Sequence, residues 1–129
     1  MTATPGRYTP TEVAAMMRIP KQGRVRNVAP RTDRTYNGIV YHSKAEALYA
    51  FGLDALKSAG EIKGWVRQVP FPLQVNGKLI CKFVVDFVVA EHEHDVIHEV
   101  KGWQSPEYKL QLKLFKALYP DMPYKLVRA

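Results

Sequence analysis

At 129 residues, with 47% apolar and 11% aromatic side chains, the chain has enough material for one buried core, which excludes a disordered polypeptide. Its single cysteine, Cys81, excludes an internal disulfide framework, and no apolar run approaches the length needed to span a membrane. The net charge of +7 is uneven: residues 1–36 carry +5, residues 37–106 carry −1 and residues 107–129 carry +3. Two basic segments flanking a centre that holds most of the acids are the pattern of a polyanion binder with an acidic site inside. Residues 1–8 lack the apolar stretch of a secretory signal, so the expected location is the cytoplasm of a bacterial or phage-infected host cell.

The first expected element is a short helix over residues 9–18, opened by the capping box Thr9-Pro10-Thr11-Glu12 and stopped before Pro20. "RYTPTEVAAMM" is similar to the first helix of small helix-turn-helix regulators, but the Pro/Gly-broken basic run 20–34 supplies no second helix and reads as an arm. The expected organisation is therefore a basic helix and arm over 1–35 and one folded domain over 36–129.

Asn37-Gly38 marks a turn before a short strand, 39–41. Ser43 caps a helix that runs to Ser58 and stops at Gly60. "EIKGWVRQVPFPLQV" gives one or two strands broken by Pro70 and Pro72, and Asn76-Gly77 is a two-residue hairpin signal. A long strand, 78–90, is followed by the turn "EHEH" and a partner strand, 95–102. Ser105 and Pro106 open a helix that ends before Pro120, and "MPYKLV" closes the chain as a strand. The expected fold class is α/β, an αβββαβ core with a mixed central sheet flanked by helices.

Candidate site residues cluster near the middle of that core. In "HEVKG", Glu99 and Lys101 lie two apart on a strand and share one face. A symmetric 91–94 turn sets Asp86 opposite Glu99, where two carboxylates about 5 Å apart repel by roughly 3 kcal/mol at an effective dielectric near 20. On the same strand Cys81, Phe83, Val85 and Phe87 are expected to face together into the core. Glu46, in the first turn of the Ser43-capped helix, either completes a capping box or adds a third acid above the pair. Such oxygen ligands suit Mg²⁺ or Mn²⁺ better than zinc.

Asp86, Glu99-x-Lys101, a preceding helical Glu46 and a following basic helix together resemble the PD-(D/E)XK nuclease superfamily. "GIVYHSKAEA", "KFVVDFVV", "HEVKGW" and "YKLQLKLFKALYP" resemble its small phage and prophage members, relatives of Holliday-junction resolvases and restriction endonucleases. The likeness covers about residues 36–128, and Val85 stands where the superfamily's name has Pro. The resemblance implies a restriction-endonuclease-like fold and a metal-dependent DNA endonuclease acting on branched or structured phage DNA. It implies that Asp86, Glu99, the Val100 carbonyl and Glu46 hold Mg²⁺ or Mn²⁺, and that Lys101 serves the attacking water. The alternatives are a sequence- or end-specific nuclease of replication or repair, and a non-cleaving DNA-binding protein of the same fold.

Lys109, Lys113 and Lys116 share one helix face beside a stripe of Leu110, Leu114 and Leu118, and either touch phosphates or form a solvated face. Arg24 and Arg26 are the arm's candidate DNA contacts. Gln68 and Trp103 are further candidates near the site, while His92, His94, His98 and Trp65 read as surface or structural residues. The expected partner is DNA, with no membrane; a homodimer fits, because cutting both strands of a symmetric substrate calls for two sites.

Overall fold

The structure, a computed structural model, describes residues 28–129. The expected helix over 9–18 and most of the arm, including Arg24 and Arg26, lie outside the described residues. A 3-10 turn, Arg31–Arg34, leads into a small hairpin of β1 (Thr35–Tyr36) and β2 (Ile39–Val40). Its Asn37-Gly38 turn has φ of 52° and 78°, the double left-handed geometry these two residues favour. Arg34 ties this entry segment down through its Nε and Nη1, which donate to the Ala29 and Tyr41 carbonyls.

Then follow α1 (Lys44–Ser58), β3 (Gly64–Val75), β4 (Lys78–Ala90), β5 (Asp95–Lys101), α2 (Pro106–Leu118) and β6 (Tyr124–Arg128). The order αβββαβ and the mixed sheet are as expected. The sheet runs β3-β4-β5-β6, antiparallel at its first two junctions and parallel where α2 carries the chain from β5 to β6. No helix among the described residues is long and apolar enough to cross a membrane.

Local chemistry explains the boundaries. Ser43 Oγ accepts from the Glu46 N–H at 3.1 Å, and Ser105 Oγ accepts from the Tyr108 N–H at 3.0 Å, each satisfying a donor that the helix start leaves unpaired. α1 ends in a Schellman motif: Gly60, at φ 78°, donates to Lys57 O and Glu61 donates to Leu56 O. β3 corrects one expectation, since Pro70 and Pro72 lie inside a continuous strand. β3 is an edge strand, and prolines two apart put both missing N–H groups on the side away from β4.

Each face of the sheet packs a core. On one face Ala47, Ala50 and Leu53 of α1 pack with Tyr41, Phe87, Val89 and Val100; on the other Phe115 of α2 packs with Leu73, Cys81, Phe83, Val85 and Ile97. Strict alternation predicts Val85 and Phe87 on one face, but they are on opposite ones. β3 switches at the same level: Trp65 packs toward α1, whereas Val69, Phe71 and Leu73 pack toward α2. The switch falls at Gln68 and Asp86, which face each other between the pairs Arg67–Phe87 and Val69–Val85 but do not pair themselves. Gln68 has φ 52°, a left-handed conformation in the middle of a strand.

α2 buries a face rich in aromatic residues. Its buried side is Tyr108, Leu112 and Phe115, at helical spacing. Leu110 is 69% exposed and Leu118 also faces solvent, whereas Leu114 packs against the core.

Candidate active site

The face switch prepares the site. Asp86 leaves the regular ladder on both its sides, and the β4–β5 pairing ends at Phe87–His98. Side chains take over where backbone rungs stop. The Asp86 N–H donates to Glu99 Oε1 at 3.0 Å, and the Val100 N–H donates to Asp86 Oδ2 at 2.9 Å. Asp86 and Glu99 are thus cross-strand neighbours, as the turn symmetry predicts, and both are buried.

Glu46 arrives from the first turn of α1. It is buried, and its Oε2 has no hydrogen-bond partner among the described residues. His42 Nδ1 approaches that oxygen to 4.0 Å from a side chain that is itself exposed. Glu46, Asp86, Val100, Lys101, His42 and Trp103 all line one open cleft of about 710 Å³. Glu99 is placed differently. It does not line the cleft; its Oε2 lies 3.5 Å from the Tyr108 hydroxyl, toward α2. Among the described residues, no three His, Cys, Asp or Glu side chains stand close enough to make a ready ligand cluster.

Electrostatics still join the three acids. Burial first, and then the Asp86 charge, raise Glu46 to about 7, against opposing effects of Lys101, Arg67 and the His42 backbone. Burial also pushes Asp86 and Glu99 above the usual carboxylate range; the Val100 N–H and Lys101 restrain Asp86, while the Asp86 charge adds to the rise of Glu99. Three acids destabilised as anions in one small volume favour a proton or a cation. The donor set fits a hard divalent ion: carboxylate oxygens, one of them buried and unpartnered at the cleft wall.

Lys101 shares the cleft, as its spacing from Glu99 suggests, but makes no ion pair with Glu99. Its Nζ sits 4.7 Å from the centre of the Tyr108 ring. Gln68 is half-buried at the face switch and does not line the cleft. Trp103 is exposed at the rim, whereas Trp65 is held in the fold by its Nε1–H donating to Asp54 Oδ1. Lys109, Lys113 and Lys116 are exposed on α2. His98 is buried and structural, bridging the Tyr49 hydroxyl and Glu91. His92 is exposed, yet its Nε2 contacts the Gly60 carbonyl at 2.8 Å instead of facing solvent alone.

Two residues at the site were not singled out in the sequence. His42 precedes the Ser43 cap, which places it at the mouth of any site built on that helix start. Tyr108 occupies the third position after the Ser105 cap, on the α2 side facing β5. Capping positions could have revealed both.

Residues 31–129 match DUF1064, described as a protein of unknown function, and the chain belongs to that family. No curated protein matches it.

Proposed function

We propose that this DUF1064 chain is a metal-dependent DNA endonuclease that hydrolyses phosphodiester bonds in branched or structured DNA, with the architecture of the PD-(D/E)XK superfamily. One observation carries the reading. Glu46, 7% exposed and with an unpartnered oxygen, meets Asp86 and Lys101 in a single cleft, with Glu99 hydrogen-bonded directly behind Asp86. Buried acids whose cost neighbouring cations only partly offset are expensive in a fold that has no use for them.

Asp86 and Glu46, with the Val100 carbonyl, would hold Mg²⁺ or Mn²⁺, and Glu99, behind Asp86 and outside the cleft, would steady Asp86 instead of reaching the ion. Bound there, such an ion supplies an acidified water and neutralises charge developing on the phosphate. The chain's own groups do the rest. Asp86 and Glu99 keep β4 and β5 in fixed relation at the site, because each carboxylate accepts from a backbone N–H near the other. Lys101 places a cation beside the attacking water and the phosphate. Exposed Lys109, Lys113 and Lys116 offer phosphate contacts whose strength falls with salt.

A second reading, a non-cleaving DNA-binding protein of this fold, is favoured by the engagement of both Glu99 oxygens within the protein. Incubation of purified protein with supercoiled plasmid, with and without Mg²⁺ or Mn²⁺, separates the two. Nicking that EDTA abolishes is expected; DNA binding without nicking under any divalent ion means the second reading. A panel of linear duplex, flap, fork and four-way junction then identifies the substrate.

A further inference from the structure

We infer that Tyr108 is the positioning residue for Lys101, holding its ammonium on the face of an anchored aromatic ring at the cleft; the catalytic consequence rests on the nuclease reading above, while the contact itself does not.

The ring is fixed at both ends. At its backbone, the Tyr108 N–H is the donor that the Ser105 cap satisfies, so the residue has one place on the first turn of α2. At its tip, the hydroxyl is hydrogen-bonded to the Tyr124 hydroxyl. Tyr124 lies on β6 in register with Ile97, two residues before Glu99, so the ring is braced against the strand beside the one carrying the Glu99–Lys101 pair. Phe83 packs against the ring from β4 at a centroid distance of 5.9 Å.

Lys101 needs such a support. A lysine stem is long and flexible, and without a partner its ammonium disperses among many rotamers. Among the described residues no carboxylate lies within ion-pair distance of Lys101, and its cationic contact there is the Tyr108 face at 4.7 Å. That is the geometry in which the negative face of a ring attracts a cation. The hydroxyl's approach to Glu99, at 3.5 Å, is at the limit of a hydrogen bond. The ring therefore positions Lys101, and the hydroxyl serves mainly to join Tyr124.

Brief acetylation of the full-length chain with acetic anhydride, read by peptide mass spectrometry, tests this directly. Exposed Lys78, on the distant hairpin, is the internal reference. Tyr108→Leu and Tyr108→Met should raise Lys101 labelling relative to Lys78 by about two- to fivefold, the range expected for one cation–ring contact. Tyr108→Phe and Tyr108→Trp, which keep a ring, should leave the ratio near the parent's. Met, unbranched and adaptable, keeps the test open if the Leu variant does not fold. In the same proteins, single-turnover cleavage should slow for Leu and Met while DNA affinity in Ca²⁺ stays unchanged. A labelling ratio unaltered by loss of the ring, or raised equally by Phe, overturns the inference. If the parent cleaves no DNA with any divalent ion, the nuclease reading fails, and the labelling still decides the role of Tyr108.

Discussion

Asp86 and Glu99 hold each other's strands together: the Asp86 N–H donates to the Glu99 carboxylate, and the Asp86 carboxylate accepts from the N–H of Val100, next to Glu99. Two acids that repel therefore also stand in for the missing rungs of the β4–β5 ladder. Their isosteric amides keep an acceptor oxygen at each rung and remove one negative charge. Asp86→Asn and Glu99→Gln should therefore melt at the parent's temperature or slightly above it at neutral pH, and cut no DNA. Asp86→Ala, which removes the acceptor and strands the Val100 N–H, should be destabilised by about 1–3 kcal/mol. Full cleavage by Asp86→Asn would end the metal-nuclease reading, and equal melting of the Asn and Ala variants would deny the rung.

A cation should reverse the cost of this cluster. Thermal melting at pH 7.5 should rise with added Mg²⁺ or Mn²⁺ for the parent, by mass action on the folded state. It should not rise for Asp86→Asn at the same concentrations. Parallel shifts in parent and variant would place the ion elsewhere.

The pH dependence without metal has a definite sign. Burial raises Glu46 from its ordinary value of 4.5 to about 7 in the folded chain, so the folded state holds its proton more tightly between those values. Its contribution is fully present below about pH 4.5 and is lost as pH rises through 7, a change on the order of 3 kcal/mol at most. Buried His98, whose pKa is lowered by burial, acts in the opposite sense as pH falls below its ordinary value. The difference between parent and Glu46→Gln, taken at each pH in EDTA, cancels that background. The parent should lose stability relative to Glu46→Gln on going from pH 5 to 8. A flat difference would mean that Glu46 is not buried as an acid.

The αβββαβ order, both serine caps and the Asp86–Glu99 register were readable because each rests on local chemistry: a cap, a two-residue turn, or a loop of known symmetry. The face switch was not. It depends on Gln68 adopting φ 52° within a strand, and nothing in "WVRQVPF" marks that residue as left-handed. Consequently Phe87 was expected beside Phe83 but packs under α1 instead. Hydrophobicity alone does not mark the buried face of α2 either. Leu110 and Leu118 have the hydrophobicity of core residues, but the sheet selects the face carrying Tyr108 and Phe115, whose rings fill the space above Phe83. The site's acids were found by spacing; Tyr108 and His42 follow from the two serine caps, but that α2 brings the Tyr108 ring against Lys101 is decided by tertiary packing.

If the basic segments meet phosphates, affinity for duplex DNA should fall with salt by roughly 0.9 log units per log unit of salt for each phosphate neutralised. Arg34 belongs to the folded part, bonded to the Ala29 and Tyr41 carbonyls, so the informative truncation removes residues 1–27 and no more. That deletion should flatten the salt slope, while single-turnover cleavage at saturating protein persists. A slope identical to the parent's would show that the segment does not contact DNA.

Lys101 separates a catalytic cleft from a merely acidic one. Its ammonium is three N–H donors with no lone pair, so it can orient water and phosphate but cannot ligate a metal. It has no ion pair with Glu99, whose oxygens bond instead to the Asp86 N–H and approach the Tyr108 hydroxyl. A purely structural role would lie in its contact with the Tyr108 ring, worth less than about 1 kcal/mol at a solvent-accessible position, and in its attraction to the buried acids, which protonation can replace. Lys101→Ala should accordingly melt close to the parent. It should slow the chemical step by a large factor, on the order of 10² or more if Lys101 acts as other positioned proton-transfer groups do. Metal should bind Lys101→Ala at least as tightly as the parent, because a nearby positive charge is gone, and DNA affinity in Ca²⁺ should fall only modestly. Asp86→Asn, measured alongside, should instead lose the metal. Two variants equally inactive but opposite in metal affinity would assign the acid to the ion and the lysine to the reaction; a Lys101→Ala protein that cleaves like the parent would remove the lysine from the mechanism.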